Sequence, residues 1–214
     1  GASRELEYSR WAVEFKNTLY DFNVVPGGRI MANLGIIGRN KTTLYNCFTH
    51  HPRDINLHDP DSIEGIYALL GKQAQILKSE GGYGTNFSYL RPAGAVIEGI
   101  GGRTPGVLKF MELWDKSSEI VTAGYDKAVG KLGTLEKKKI RKGAQMGMLN
   151  IWHPEILDFI IAKQTPNRLT KFNLSVYIDP GFMDCVIDDK DWNLEFPDTK
   201  HSDYKSHWKG YLPE

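Results

Sequence analysis

The sequence predicts an α/β fold, because short apolar strands alternate with amphipathic helices along the chain. Apolar residues recur at helical spacing over 63–79 and 105–123, which is typical of helices that bury one face. Residues 172–178 alternate between apolar and polar side chains, which is the period of a strand. Further strand signals lie at 83–90 and 145–151. This order of elements favours a sheet covered by helices.

Composition and charge are those of a globular protein. The 214 residues are 41% hydrophobic and 25% charged, and the net charge is +1, so neither disorder nor a general affinity for nucleic acid is expected. No apolar run approaches the roughly 18 residues that a membrane-spanning helix needs. The two cysteines are too few for a disulfide framework and fit a reducing compartment. We therefore expect a cytoplasmic protein with no nucleic-acid or membrane partner.

The helices have recognisable ends. An aromatic and apolar stripe predicts a first helix over 4–23, and the turn formers Pro26, Gly27 and Gly28 follow it. We expect a helical segment over 1–25 and one domain over 26–214. The second helix can be capped by Asp61 or Ser62. For the third helix, Thr104 stands at the predicted cap and Pro105 in the first turn.

Glycines and basic residues mark three candidate ligand segments. Residues 81–86 fit either a tight turn from helix to strand or a loop that lets a ligand approach the backbone. Residues 99–104 precede a helix, so they either bind phosphate at its N-terminus or simply connect a strand to it. Residues 125–142 carry seven basic and two acidic side chains. They form either a solvated loop or, through Arg141 and its neighbouring lysines, a polyphosphate site.

The cysteines and histidines do not predict a metal site. Cys47 lies three residues before His50, with His51 and His58 close behind, but this spacing matches no compact zinc pattern and lacks an evident fourth ligand. Cys185 is expected to pack on the face of an amphipathic helix.

Six segments stand in order along the chain: PGGRIMANLG (26–35), NCF (46–48), GGYGTNFSYLRPAGAVIEG (81–99), IRKGAQMGML (140–149), HPEILDFIIAK (153–163) and KFNLSV (171–176). Together they resemble the large, catalytic subunit of ribonucleotide reductases. The form of RKGAQM, together with the lack of an ATP-cone-like N-terminal region, is most similar to the adenosylcobalamin-dependent class II. The resemblance implies a ten-stranded α/β barrel of two five-stranded halves, of which 26–214 is the first part, including the specificity-effector region.

The resemblance also implies roles at the substrate. Cys47 matches a barrel cysteine that supplies reducing equivalents and becomes half of a disulfide. This role is chemically suited to the loss of a ribose 2′-hydroxyl, because a dithiol delivers two electrons when it forms a disulfide. Asn46, Cys47, Gly82 and the backbone around Gly28 match positions that contact the ribonucleotide.

A second group of residues matches the site of an allosteric effector, a deoxynucleoside triphosphate or ATP. Arg91 matches an arginine that binds the effector phosphates, and Asp59 and Asp61 compete for the acidic position that holds the sugar. Residues 98–104 resemble the first specificity loop. Residues 141–145, with Arg141 and Lys142, resemble the second, and 125–139 resemble an insertion before it. The helices at 63–79 and 105–123 match a pair that packs across a two-fold dimer interface.

The radical loop of the family, an Asn-Pro-Cys-Gly-Glu-like motif, does not occur in the sequence. We therefore expect the N-terminal part of a reductase, inactive by itself, that requires a C-terminal half, a ribonucleotide substrate and a dithiol reductant protein. The cobalamin would be bound mainly by that other half. The alternative is a non-catalytic regulatory module that binds nucleotides.

Overall fold

The computed structural model describes residues 2–36, 42–50, 59–97, 101–123, 128–129, 135–136 and 143–196. The chain divides into two compact units, Gly1–Asn46 and Cys47–Glu214, which are described separately. The helices are α1 (Ala2–Leu19), α2 (Gly28–Asn33), α3 (Ile63–Lys78), α4 (Val107–Val121), α5 (Ile156–Ile161) and α6 (Pro180–Ile187). The strands are β1 (Cys47–Thr49), β2 (Gly82–Asn86), β3 (Ala128–Val129), β4 (Leu135–Glu136), β5 (Gln145–Asn150) and β6 (Phe172–Tyr177).

The first unit contains α1 and α2. The helix predicted over 4–23 is confirmed, but α1 ends at Leu19 and a 3-10 turn follows it. Asp21 and Phe22 have φ values of 57° and 58°, outside the helical region, which explains the earlier end. The short helix α2 follows the turn formers Pro26 and Gly27 and was not predicted from the sequence.

The second unit is built on four parallel strands in the order β1-β2-β5-β6. Parallel neighbours need a long crossover between them, and α3, α4 and α5 lie in the three successive connections. The strands β3 and β4 form a separate antiparallel pair. The predicted α/β class is therefore confirmed, and the strands at 145–151 and 172–178 are found with ends within one residue.

The core of this unit joins the sheet to α3 and α4. The ring of Phe87, just after β2, meets Trp114 of α4 edge to face at 5.5 Å and Phe172 of β6 at 5.9 Å. All three side chains are buried, as are Leu69 of α3 and Leu149 of β5. Such aromatic pairs add to the stabilisation from buried area, so this cluster fixes the two helices against the sheet.

The two long helices differ from expectation in detail. Ser62, one of the two predicted caps, begins α3, and its hydroxyl accepts the N–H of Gly65 at 3.1 Å. The buried face of α3 includes Gln73, whereas Ile63 and Tyr67 are exposed. The prediction that Thr104 caps the third helix was wrong, because α4 begins at Val107 with Gly106 as its N-cap.

Within the described ranges, no helix has both the length and the apolar character to cross a bilayer.

Candidate functional site

Cys47 and Gly82 lie side by side at the N-terminal ends of two parallel strands. They are Cα partners in the register of β1 against β2. Cys47 is a free cysteine and is exposed. A second thiol can therefore approach it. The structure thus brings together two residues that the sequence predicted to serve one site.

The turn before Gly82 is a helix end. The N–H of Glu80 reaches the Leu77 carbonyl at 2.9 Å, and the N–H of Gly81 reaches the Ile76 carbonyl at 3.1 Å. A Cβ on Gly81 would lie 2.9 Å from the ring of Phe48. The structure therefore favours the tight-turn interpretation of Gly81, which is needed for close packing, while the contact of Gly82 with substrate stays a prediction.

The two remaining predicted substrate positions belong to the first unit. Gly28 is the first residue of α2. The side chain of Asn46 packs against Gly27, the residue that precedes Gly28, since a Cβ on Gly27 would lie 3.1 Å from Asn46 Nδ2. Asn46 is thus adjacent to the start of α2, and ligand contacts at Gly28 and Asn46 stay predictions.

Arg91 and Asp61 form a partly buried ion pair. Arg91 Nε donates to Asp61 Oδ2, and the backbone N–H of Arg91 donates to Asp61 Oδ1 at 3.2 Å. Burial raises the pKa of Asp61, and its hydrogen bonds to Arg91 oppose that shift. About a quarter of the Arg91 side chain, 28%, is exposed, so an anionic ligand can reach it.

The other acidic candidate has a different position. Asp59 Oδ1 accepts the backbone N–H of Asp61 at 2.9 Å, which shapes the turn into α3. The structure places Asp61, rather than Asp59, against Arg91, a distinction that the spacing along the chain did not make.

The segments on either side of 98–100 run antiparallel. Val96 and Arg103 form a β-bridge, and the N–H of Ile97 donates to the Gly102 carbonyl at 2.8 Å. Arg91 Nη1 donates to the Val96 carbonyl at 3.2 Å. Arg91 is thereby tied to one arm of the predicted first specificity loop, of which 101–104 are described and 98–100 lie outside the described residues.

The N-terminus of α4 already holds an anion of the protein itself. Glu155 Oε2 accepts the N–H of Val107, the first helical residue, at 2.8 Å. A carboxylate is the stabilising charge at this end of a helix. The structure therefore favours the connecting role of 99–104 over a phosphate site on this helix.

The second predicted loop is described only at its end. Arg141 and Lys142 lie outside the described residues, and so does most of 125–139. Gln145 starts β5 with its side chain buried, and its Oε1 accepts from Gln73 Nε2 at 2.6 Å. The sequence did not predict the structural roles of Gln73, His153 and Glu155. A glutamine among the apolar residues of a helix is, however, a signal that could have pointed to Gln73.

Metal binding finds no support in the described ranges. No three His, Cys, Asp or Glu side chains there come together closely enough to hold an ion. His51 and His58 lie outside those ranges. Cys185 is free and half-buried on α6, as its predicted helical context required.

Comparison with known proteins identifies the family. Residues 46–210 match the family model described as the barrel domain of ribonucleotide reductase. The chain belongs to the ribonucleotide reductase family. The predicted resemblance is thus confirmed, and with it the α/β fold as part of the reductase barrel.

Relatives of several kinds share this similarity. The vitamin B12-dependent ribonucleoside-diphosphate reductases of Mycobacterium tuberculosis and Thermoplasma acidophilum are each 33% identical, over 83% and 87% of this chain. The large subunit of the ribonucleoside-diphosphate reductase of Variola virus is 30% identical over 75% of the chain. These alignments cover 22%, 21% and 19% of the relatives, so the chain spans about a fifth of their length.

Proposed function

We propose that this chain is the N-terminal portion of a ribonucleotide reductase and supplies one of its two reducing thiols. The observation that carries the proposal is Cys47, which is exposed at the start of β1 beside Gly82 in a chain of the reductase family. Two thiols that become a disulfide release two electrons and two protons, which convert a ribonucleotide to a deoxyribonucleotide and water. The second thiol and the radical cysteine belong to the complementing C-terminal half.

The proposed substrate is a ribonucleotide that contacts Gly82 and Cys47, with further contacts at Gly28 and Asn46. A dithiol reductant protein would restore Cys47 after each turnover. The exposure of Cys47 supports this, since thiol–disulfide exchange requires direct access to the sulfur.

Adenosylcobalamin would supply the radical that starts the reaction in the B12-dependent class. Of the two histidines that the structure describes, His153 is not available as a ligand for the cobalt of this cofactor. His153 is completely buried with both ring nitrogens hydrogen-bonded inside the protein, and His50 stacks on Tyr83 at 5.9 Å with a buried Nδ1. His153 therefore offers no imidazole to a cobalt ion, and we assign the cofactor mainly to the complementing half, as the family resemblance implies.

The second part of the proposal is an effector site for a deoxynucleoside triphosphate or ATP. Arg91 would bind its phosphates, Asp61 would hold its sugar, and Arg141 and Lys142 would contribute from the second specificity loop. The ion pair of Arg91 with Asp61 supports this, because it holds a partly exposed guanidinium in a fixed orientation suited to phosphate.

Two protein surfaces accompany this proposal. The C-terminal half would cover the outer strand β6 and the exposed apolar residues of α6, which are Met183, Val186 and Ile187. Uncovered strands and apolar patches of this kind usually mark an interface. A second copy of the chain would pack on α3 and α4, where Ile63, Tyr67 and Ile120 are exposed.

Complementation tests the reductase function. The chain is co-expressed with a C-terminal polypeptide that carries the radical-cysteine loop, and deoxyribonucleotide formation is assayed with and without adenosylcobalamin. We expect activity only from the complemented protein and only with the cofactor. Activity of the isolated chain would contradict the proposal.

Calorimetry tests the effector site and the alternative function. Wild type and an Arg91→Ala variant are titrated with each of the four deoxynucleoside triphosphates. We expect binding to wild type and at least about a tenfold loss in the variant, the usual effect of losing a charged hydrogen-bond donor. Tight binding without any activity after complementation would favour the non-catalytic regulatory module.

A further inference from the structure

One buried carboxylate joins the two ends of the segment 93–107, which directly follows Arg91 and Pro92. Glu155 is 8% exposed, and its Oε2 accepts the backbone N–H of Ala93 at 3.0 Å as well as that of Val107 at 2.8 Å. Ala93 lies two residues after Arg91, and Val107 is the first residue of α4. Backbone groups that are 14 residues apart in the sequence therefore share one acceptor atom.

His153 extends this connection to the residue before Arg91. Its Nδ1 accepts the N–H of Glu155 at 3.1 Å, and its Nε2 lies 2.9 Å from the Leu90 carbonyl. Because Nδ1 is an acceptor, the proton is on Nε2, which donates to Leu90. Burial lowers the pKa of His153 to about 4, so the ring is neutral at physiological pH and keeps this arrangement.

The packing around the shared oxygen leaves no room for adjustment. Gly106 has a φ of +85°, and a Cβ there would lie 2.6 Å from Glu155 Oε2 and 2.7 Å from the backbone nitrogen of Ala93. Only glycine fits both this conformation and this contact. The two arms of the loop therefore meet at a fixed point on Glu155.

We propose that Glu155 is a positioning residue for Arg91, which it holds in the orientation that binds the effector anion. Leu90 and Ala93 flank Arg91 on both sides, and both are bound by the segment 153–155. With its backbone held in this way, Arg91 loses little freedom when a ligand arrives, which raises affinity. This inference rests on the proposed effector site.

The role depends on the acceptor oxygen and on its reach, more than on charge. Glutamine has the length of glutamate and presents an oxygen to the same two N–H groups, whereas alanine removes the acceptor. Aspartate keeps the charge but is one methylene shorter. We therefore expect glutamine to rescue the function, and alanine and aspartate to lose it.

The experiment is calorimetry of the full chain with each of the four deoxynucleoside triphosphates, on wild type, Glu155→Ala, Glu155→Asp, Glu155→Gln and Arg91→Ala. A Val121→Ala variant controls for lost stability, since Val121 packs on the core at the far end of α4, about 20 Å along the helix from Val107. Hydrogen exchange of the Ala93 and Val107 amides is measured in parallel.

We expect binding to weaken about tenfold in Glu155→Ala and Glu155→Asp, and by less than about threefold in Glu155→Gln, because hydrogen bonds lost to a buried acceptor have effects of that order. Val121→Ala should bind as wild type does. Exchange at both amides should accelerate in the alanine and aspartate variants alone.

Wild-type affinity in Glu155→Ala and Glu155→Asp, together with weakened binding in Arg91→Ala, would overturn the positioning role and leave the effector site intact. Unchanged binding in Arg91→Ala would instead contradict the effector site itself, and the positioning role with it. If the alanine variant does not fold, the comparison of aspartate with glutamine decides the question alone.

Discussion

Replacement of Gln73 by leucine should destabilise the second unit through its buried amide network. Gln73 Nε2 donates to Gln145 Oε1 at 2.6 Å and to the Trp114 carbonyl at 3.0 Å, and Gln73 Oε1 accepts from Ser117 Oγ at 3.0 Å. Gln73 is completely buried. The network therefore joins α3, α4 and the first residue of β5, with the glutamines buried and only Ser117 at its edge half-buried.

The magnitude follows from what the leucine leaves behind. It keeps the volume of Gln73 but removes all three hydrogen bonds. Gln145 Oε1 loses its partner in the network, and a stranded buried acceptor costs about 1–3 kcal/mol. Ser117 is half-buried, so its hydroxyl can turn to water and its lost hydrogen bond costs less. The Trp114 carbonyl keeps Gln145 Nε2 at 3.3 Å. Allowing for the apolar surface that leucine buries, we expect a net loss of about 1–2 kcal/mol in the free energy of unfolding.

Urea unfolding followed by tryptophan fluorescence measures this loss, and the same helix offers a control. Gln75 is exposed on α3, so Gln75→Leu should change the free energy of unfolding by no more than about 0.5 kcal/mol. The double variant Gln73→Leu/Gln145→Leu removes both amides. It should be more stable than the sum of the single effects predicts, by about 1–2 kcal/mol.

A Gln73→Leu variant with the stability of wild type would refute this reasoning, as would strictly additive single effects. The first result would mean that the amide network does not stabilise the fold, and the second that Gln73 and Gln145 are not coupled.

Three further predictions concern stability. A Cβ at Gly65 would lie 2.5 Å from the backbone carbonyl oxygen of Asp59, so Gly65→Ala should cost about 1–3 kcal/mol by overpacking. Gly71→Ala, on the open surface of α3, should instead raise the free energy of unfolding by about 0.5–1 kcal/mol. In thermal denaturation the two alanine variants should therefore shift the midpoint in opposite directions, and shifts of the same sign would contradict this pair of predictions. Burial lowers the pKa of His153 from 6.5 to about 4, so the unfolded chain binds more protons between these values and stability falls as the pH falls through that window. Between about pH 7.5 and about pH 5, the free energy of unfolding should therefore decrease by about 2 kcal/mol less in His153→Gln than in wild type. An unchanged pH dependence in urea unfolding would show that His153 is not buried and neutral.

The sequence predicted elements well where one periodic face determines them. The helix at 63–79 and the strand at 172–178 were found within one residue of their predicted ends, because apolar side chains at the right period define a buried face whatever the rest of the chain does.

What the sequence could not predict depends on distant partners. The start of α4 at Val107 depends on a hydrogen bond to Glu155, which lies 48 residues later in the sequence. Gln73 can be buried because its side chain forms a hydrogen bond with that of Gln145, 72 residues later. Local spacing also left Asp59 and Asp61 equivalent, and only the position of Arg91 separates them. Contacts of this range follow from the fold and are not encoded in neighbouring residues.

Repeated turnover of the complemented reductase with a dithiol reductant is the measurement that most directly tests the role of this chain. Wild type is compared with Cys47→Ser, and with Cys185→Ser as the control at the other free cysteine. We predict that wild type and Cys185→Ser form deoxyribonucleotide over many turnovers, whereas Cys47→Ser stops but still binds the effector. If Cys47→Ser sustained as many turnovers as wild type, the assignment of Cys47 as a reducing thiol would be contradicted.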